Sequence, residues 1–276
     1  MGRNVHFMVG SVDCWAVSDA AQLELVSVDD WQFTASQDAI DQSLAEHNLR
    51  ADSIPLDWVC LLVKCAGQYL LVDSGSGPGV SANVGYLLPH LNALGVEADE
   101  IRTVVVSHAH LDHIGGTLKA NGQPAFARAR VLLGKGEREM LELVPPVPSL
   151  LSEAAKRYLP ALASQLEYVA DGAEILPWVR TLAMPGHTLG STAVEISSAG
   201  ARLLFTGDLF YHAMQVEHLD WCSQYDLDPA QAIASRERIY QLAVNENLKV
   251  LPAHAPLPGI GQITKDRVSF RWQPSE

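Results

Sequence analysis

The chain of 276 residues has few of the features that define a class of protein at once. Its four cysteines form no CxxC pair, which excludes a disulfide-rich scaffold and indicates reduced, mostly buried thiols. No stretch approaches the ~18–20 apolar residues of a membrane span. The first ten residues lack the apolar core of a secretory signal. These absences predict a soluble, cytoplasmic protein.

Basic residues are also scarce. Lys and Arg total 19 against 32 Asp and Glu, so the formal net charge is −13. Such an acidic chain binds phosphate backbones and acidic lipid surfaces poorly, so neither nucleic acid nor a membrane is an expected partner. The hydrophobic share of 48% is ample for a core. Since no linker or low-complexity run divides the chain, we predict a single domain over residues 1–276.

Apolar runs and turn residues alternate in a way that predicts interleaved strands and helices. The predicted strands are 58–64, 69–73, 101–107, 130–133, 166–169, 179–183, 192–196, 202–205 and 249–251, with a hairpin turn at 66–68. The predicted helices are 84–94, 137–143, 150–165 and 229–245, the last with Asp228 as its N-cap. This pattern predicts an α/β fold in which helices cover sheets.

Potential metal ligands are concentrated directly after the predicted strand 101–107. The segment SHAHLDHIGG contains His108, His110, Asp112 and His113 in the pattern H-x-H-x-D-H. In an extended segment, His108 and His110 point the same way, and after a turn Asp112 and His113 can face a neighbouring point. The spacing favours two adjacent metal ions and differs from a helical HExxH zinc site. The alternative is a polar loop with solvated histidines.

Three further strand ends each carry one residue of a ligand type. His187 lies in the turn MPGHTLGS, Asp208 follows the strand in LFTGDL, and His254 ends the last strand in LPAHA. Any one alone is more often a turn residue or a core polar group. With the first cluster they make seven candidate ligands, five His and two Asp. A dinuclear site with nitrogen and oxygen ligands needs about that number.

These motifs in this order, from about Trp58 to Ile263, resemble those of the metallo-β-lactamase superfamily. The resemblance implies a four-layer αβ/βα sandwich of two mixed sheets flanked by helices, with two metals at one edge. It implies a ligand set for each metal: His108, His110 and His187 for the first, and Asp112, His113 and His254 for the second, with Asp208 bridging both. It also implies that Asp73, in a DxG loop, orders the ligand loop.

The segments DLDPAQAIASRERI and HAPLPGIGQI resemble the branch that holds methyl parathion hydrolase and related lactonases. Tyr211 lies three residues after Asp208, where N-acyl-homoserine lactonases carry a tyrosine that acts on the substrate carbonyl or leaving group. The resemblance therefore implies Asp112, Asp208 and Tyr211 as the catalytic residues. A tyrosine that only packs in the core is the alternative for Tyr211.

Together these features predict a dinuclear hydrolase in which a metal-bridging hydroxide attacks a lactone or ester carbonyl, while Tyr211 donates to the developing oxyanion. The expected substrate is a small lactone of the N-acyl-homoserine type. Phosphotriesters, aryl esters and thioesters are the alternatives, and a non-catalytic metal-binding protein is a third class. Zinc suits the ligands best, although iron, manganese and cobalt fit the same geometry. A homodimer is common in the resembling branch.

The pocket around such a site is less defined by the sequence. Residues 1–50 are expected to form a lid or the first strands, shaping the pocket or a dimer contact. His212 and His218 follow Asp208 closely and are candidates to line the pocket. A set of apolar residues is predicted either to form a pocket wall or simply to pack in the core: Phe210, Met214, Leu219 and Trp221.

Overall fold

The computed structural model describes residues 2–65, 67–142 and 149–275. In the first half the elements are β1 (Asn4–Val9), β2 (Val12–Ser18), β3 (Glu24–Ser27), α1 (Gln37–Glu46), β4 (Ser53–Leu56), β5 (Val59–Cys65), β6 (Gln68–Val72), α2 (Leu87–Ala93), β7 (Ile101–Val105), α3 (Leu111–Ile114) and β8 (Arg130–Gly134). They continue with α4 (Ser149–Ala161), β9 (Leu166–Val169), β10 (Glu174–Leu176), β11 (Val179–Ala183), β12 (Thr192–Ser198), β13 (Ala201–Phe205), α5 (Ala213–Glu217), α6 (Pro229–Asn245), β14 (Lys249–Leu251), β15 (Gly261–Lys265) and β16 (Phe270–Pro274). Short 3-10 helices lie at Val28–Asp30, Ala98–Glu100, Gly115–Thr117, Lys135–Glu142 and Gly207–Leu209.

The strands form two seven-stranded sheets and a small ribbon of β3 and β4. The first sheet has the order β1-β2-β5-β6-β7-β8-β9, and the second the order β10-β11-β12-β13-β14-β15-β16. Both sheets are mixed, since β6 to β9 run parallel in the first and β13 pairs parallel with β14 in the second. Helices cover both outer faces, so the predicted four-layer sandwich is confirmed.

Successive side chains of β5 point to opposite faces of the sheet, so this one strand contributes to two layers of the core. Leu61 and Val63 pack between the two sheets, in the same cluster as Phe205 of β13. Leu62, which points the other way, packs under the outer helices with Leu91 of α2. Because both faces are buried, the strand reads as a continuous apolar run. Each fully buried leucine contributes about 1.5–3 kcal/mol of transfer free energy.

Helix α6 covers the second sheet. Its buried Ile239 packs with Leu204 of β13 and Val250 of β14. The carboxylate of Asp228 accepts a hydrogen bond from the backbone N–H of Gln231 at 3.0 Å, which satisfies one of the free donors of the first turn. The predicted helix 229–245 and its N-cap are therefore confirmed.

Other predicted helices differ at their ends. Helix α2 begins at Leu87 and not at residue 84, because Gly85 just before it has a φ of +94° that no helix accommodates. Helix α4 ends at Ala161 and not at residue 165, because the N–H groups of Ala163 and Gln165 donate to carbonyls three residues back instead of four. Residues 137–142 of the predicted helix 137–143 lie within a 3-10 helix over Lys135–Glu142. Residue 143, the Pro-rich 144–148 and Ala66 of the predicted turn lie outside the described residues.

Residues 1–50 contribute both the first strands of a sheet and part of the cavity wall. Strands β1 and β2 are the first strands of the first sheet. The chain after them forms a cap, in which Trp31, Ile40 and Leu44 pack with Tyr211 and Trp221 from the second half. This cap covers one end of the sandwich and supplies Val26, Asp30 and Trp31 to the wall of the cavity described below.

The thiols are as the sequence predicts: the free cysteines Cys14, Cys60, Cys65 and Cys222 are all buried. Burial raises the pKa of the Cys14 thiol to about 12. Among the helices of the described residues, none is both long and apolar enough to cross a bilayer.

Candidate metal centre

The structure brings the seven candidate ligands together at one end of the two sheets. The chain leaves β7 and turns into the one-turn helix α3, which places His108, His110, Asp112 and His113 in a single loop. The other three follow β11, β13 and β14: His187, Asp208 and His254. Six of the seven side chains are buried, and Asp112 is 31% exposed towards the cavity.

Three histidine nitrogens converge at the first position. Nε2 of His108 lies 3.0 Å from Nδ1 of His110 and 3.2 Å from Nε2 of His187. Nδ1 of His110 and Nε2 of His187 are 3.0 Å apart. Nitrogens that bind one tetrahedral zinc at ~2.0–2.1 Å are separated by about 3.3 Å. The three side chains therefore fit a single metal ion.

The second position is formed by Asp112, His113 and His254. Oδ2 of Asp112 is 3.6 Å from Nε2 of His113 and 3.5 Å from Nε2 of His254. These ligand atoms lie within 4.8 Å of one another, close enough to share one ion.

Asp208 lies between the two positions, with one oxygen towards each. Its Oδ1 is 3.2 Å from Nε2 of both His113 and His254. Its Oδ2 is 3.5 Å from Nε2 of His187 and 3.9 Å from Nε2 of His108. A carboxylate placed in this way can bridge two ions and set the distance between them.

Two unsatisfied atoms show that metal ions fit this site. Nε2 of His113 and Oδ1 of Asp208 are buried and, although 3.2 Å apart, do not form a hydrogen bond with each other or with another group of the described residues. A buried polar atom without a partner costs roughly 1–3 kcal/mol, more when it is charged. Both atoms point to where the ligand atoms converge, so coordination would satisfy them. The clusters are those of a dinuclear site for divalent metals.

The protonation states of His108, His110 and Asp208 suit metal binding. Burial, together with the neighbouring histidines, lowers the pKa of His108 well below its usual value and that of His110 to about 3. Both rings are therefore neutral at pH 7, with lone pairs free to coordinate. Burial alone would raise the pKa of Asp208, but His113 and His254 outweigh it and hold that pKa well below its usual value. The bridging carboxylate is thus ionised. At His113 and His254 the charge of Asp208 outweighs burial and raises the pKa, so a bound metal ion would have to displace a proton from each ring.

Asp73 orders the ligand loop, as the DxG resemblance implies. Its Oδ2 accepts a hydrogen bond from Nδ1 of His113 at 2.7 Å, and its Oδ1 accepts from the backbone N–H of Ser107 at 2.6 Å. The backbone of Asp73 has a φ of +61°, a conformation that few non-glycine residues adopt. This local strain is the cost of aiming the carboxylate at two parts of the loop.

The other two orienting groups were missed by the sequence analysis. Nδ1 of His254 donates to the backbone carbonyl of Asp57 at 3.0 Å, and Nδ1 of His187 donates to Oδ1 of Asp226 at 3.1 Å. The buried Arg236 of α6 donates in turn to Oδ2 of Asp226 at 2.7 Å. A backbone carbonyl has no sequence signal. Asp226 opens the segment DLDPAQAIASRERI, but no spacing rule connects it to His187.

Five of the seven candidate ligands, all except His108 and His113, line a cavity of about 310 Å³. Its lining combines ligands with apolar and acidic side chains: Val26, Asp30, Trp31, Leu56, Trp58, His110, Leu111, Asp112, His187, Asp208, Tyr211, Tyr225 and His254. The Tyr211 hydroxyl is 3.2 Å from Nδ1 of His187. Burial, with Asp208 nearby, raises the pKa of Tyr211 well above its usual value, so the hydroxyl stays a donor.

Of the two alternatives for the apolar set after Asp208, the structure shows core packing and not a pocket wall. Phe210 packs in the outer core against Tyr240 and Trp272, and Met214 and Trp221 pack inside the cap. Leu219 packs against the outer core as well. The cap residues that replace them were not singled out from the sequence.

The two histidines after Asp208 do not line the cavity either. Nδ1 of His212 accepts a hydrogen bond from the N–H of Met214, so this side chain caps α5. The ring of His218 stacks on Trp221 with centroids 4.1 Å apart.

Comparison with known proteins defines the class. The model of the metallo-beta-lactamase superfamily matches residues 59–254, which is most of the chain. The chain therefore belongs to the metallo-beta-lactamase superfamily. With the clusters above, its family and fold are those of a metal-dependent hydrolase.

Particular relatives are distant. The structure of AidC, a dizinc quorum-quenching lactonase, superimposes with a TM-score of 0.92 at 23% identity, over 100% of this chain and 98% of that one. An N-acyl homoserine lactonase of Bacillus thuringiensis is 27% identical over 216 residues, 71% of this chain and 80% of that protein. Cleavage and polyadenylation specificity factor 73 of Drosophila melanogaster is 26% identical over 54% of this chain, which spans only 22% of that factor.

Proposed function

We propose that this protein hydrolyses lactones of the N-acyl-homoserine type at a dinuclear metal site. The observation that carries the proposal is the placement of Asp208, whose two carboxylate oxygens face two separate groups of ligands at the floor of the cavity. His108, His110 and His187 would hold one ion, and Asp112, His113 and His254 the other. Zinc is the proposed metal because imidazole nitrogens dominate both sets.

When bound, the metal pair would supply Lewis acidity and a water whose pKa is low enough to lose a proton near neutrality. The rest of the chemistry belongs to side chains of this chain. Tyr211, kept protonated by its burial, is placed to donate a hydrogen bond to the carbonyl oxygen as negative charge develops there. Asp112 faces the cavity, is the most exposed of the seven candidate ligands and is the proposed acid–base group.

The cavity favours an uncharged substrate. Among the described residues that line it there is no Lys or Arg to pair with a phosphate or carboxylate, and Asp30 adds negative charge. Trp31, Trp58 and Tyr225 offer aromatic surface for an apolar group. A lactone or ester with an apolar acyl group suits these walls better than an anionic substrate. Because the N-terminal cap supplies Trp31, we propose that the whole chain acts as one unit.

Relatives support the same substrate class. The AidC structure is named as a quorum-quenching lactonase, and the Bacillus thuringiensis protein as an N-acyl homoserine lactonase. Phosphotriesters, aryl esters and thioesters remain alternatives within the same superfamily.

A panel of substrates tests the proposal on protein reconstituted with zinc. Opening of a short-chain and a long-chain N-acyl-homoserine lactone is compared with hydrolysis of an aryl ester, a thioester and a paraoxon-type phosphotriester. We expect lactone opening to have the highest kcat/KM, and both lactone activities to disappear in Asp208→Ala.

A higher kcat/KM on the phosphotriester or thioester would contradict the lactone assignment and keep the dinuclear site. Lactone turnover that survives Asp208→Ala unchanged would contradict the site itself.

A further inference from the structure

Glu137 is a fully buried carboxylate outside the candidate ligand set and the Asp73 loop. It lies in the 3-10 helix that follows β8 and is 0% exposed. Among the described residues, no basic side chain forms a hydrogen bond with it. Its Oε2 accepts from the backbone N–H of Ala109 at 2.9 Å. Its Oε1 accepts from the backbone N–H of Gly190 at 3.0 Å and from the hydroxyl of Thr188.

These partners belong to the two loops that carry the first group of ligands. Ala109 lies between His108 and His110, and Thr188 directly follows His187. One carboxylate thus holds, through backbone and hydroxyl donors, the chain on both sides of the point where three imidazoles converge. The second group has other supports, since His113 and His254 are held by Asp73 and Asp57.

The segment that carries Glu137 is built to approach the His187 loop closely. Gly134 and Gly136 precede it, and a Cβ at Gly134 would collide with the backbone of Gly190, and one at Gly136 with that of Leu189. A Cβ at Gly190 would collide with the backbone of Glu137 in the same way. Three glycines therefore permit a contact that any larger residue would break.

We propose that Glu137 is a positioning residue for one of the two metal sites, the site formed by His108, His110 and His187. It acts by fixing the distance between the two ligand loops and touches neither the substrate nor an ion. The inference rests on the proposed dinuclear site. It predicts that binding of the first ion depends on Glu137 and binding of the second on Asp73, each of which orients a ligand loop.

The test measures zinc binding rather than turnover. The two zinc affinities of the wild-type protein are determined by competition with a chromophoric chelator, and then those of Glu137→Gln, whose amide cannot accept from all three donors. Loss of an orienting group behind a ligand weakens metal binding by about 10–100-fold. We expect one affinity of Glu137→Gln to fall by that factor and the other to stay within about twofold, since its supports are intact.

Glu195 provides a matched control. It is also buried, at 1% exposed, and is paired with Arg180 and Arg202 on the second sheet. Glu195→Gln should lower the melting temperature and leave both zinc affinities unchanged. If Glu137→Gln does not fold, Thr188→Val removes a single hydrogen bond to Glu137 and should weaken the same affinity to a lesser degree.

The outcomes separate the inference from the proposal that it rests on. A wild-type protein with fewer than two zinc sites contradicts the dinuclear site. Two sites in the wild type with unchanged affinities in Glu137→Gln and Thr188→Val contradict the role of Glu137. Equal weakening of both sites, or the same weakening in Glu195→Gln, also contradicts it, because metal affinity would then follow overall stability.

Discussion

At the scale of single residues, the sequence predicts the candidate metal ligands, because metal binding requires particular side chains at particular places in the chain. The seven candidate ligands all lie at strand ends, in motifs that the sequence displays, and the structure places them around two points. The groups that orient these ligands by hydrogen bonds were harder to predict from the sequence. Asp73 carried a motif, but Asp57 acts through its carbonyl and Asp226 through a contact made only by the fold.

Tyr211 is the residue whose role is easiest to isolate. Replacing it with phenylalanine removes the hydroxyl beside His187 and leaves the ring packed on Trp31, at a centroid distance of 4.2 Å. If the hydroxyl donates to the developing oxyanion, kcat on a lactone should fall by about 10²-fold with little change in KM. Steady-state kinetics measures both constants.

Tyr240→Phe is the control, because that hydroxyl is equally buried but lies outside the cavity lining. Its kcat should match the wild type. An unchanged kcat in Tyr211→Phe would leave Tyr211 as a core residue of the cap.

At the scale of elements, predictions succeeded where propensity and tertiary packing agree. Helix α6 has an N-cap, a proline at its first position and a buried face, and its bounds match the prediction. The predicted start of α2 was wrong because Gly85 adopts a left-handed backbone. The predicted end of α4 was wrong because the chain after Ala161 tightens into turns with bonds three residues back. Strands β1 and β2 were missed individually, since their mixed burial gives weak alternation in a segment without other signals.

The N-cap of α6 gives a prediction about stability alone. Asp228→Ala removes the carboxylate that accepts from the N–H of Gln231 and should lower the free energy of unfolding by about 1 kcal/mol. Asp228→Ser keeps an acceptor and should stay within a few tenths of a kcal/mol of the wild type. Denaturant unfolding measures both values. No loss in Asp228→Ala would show that the cap contributes nothing here.

At the scale of the whole molecule, the sandwich explains why ligands scattered from His108 to His254 can form one centre. Both sheets end at the same edge, and each sheet contributes loops to it. The four-layer arrangement could be predicted because the ligand motifs resemble those of the metallo-β-lactamase superfamily. The cap was not, because its Trp31 meets Tyr211 only after the chain has crossed both sheets, and no local pattern records such a contact.

The most direct test of the central claim is the number of metal ions bound per chain. The protein is stripped with a chelator, reconstituted separately with zinc, iron and manganese, freed of excess ion and analysed by elemental mass spectrometry. The account predicts about two ions per wild-type chain with the preferred metal, and at most about one in Asp208→Ala. Fewer than about one ion per wild-type chain with every metal would contradict the dinuclear site on which the proposed chemistry depends.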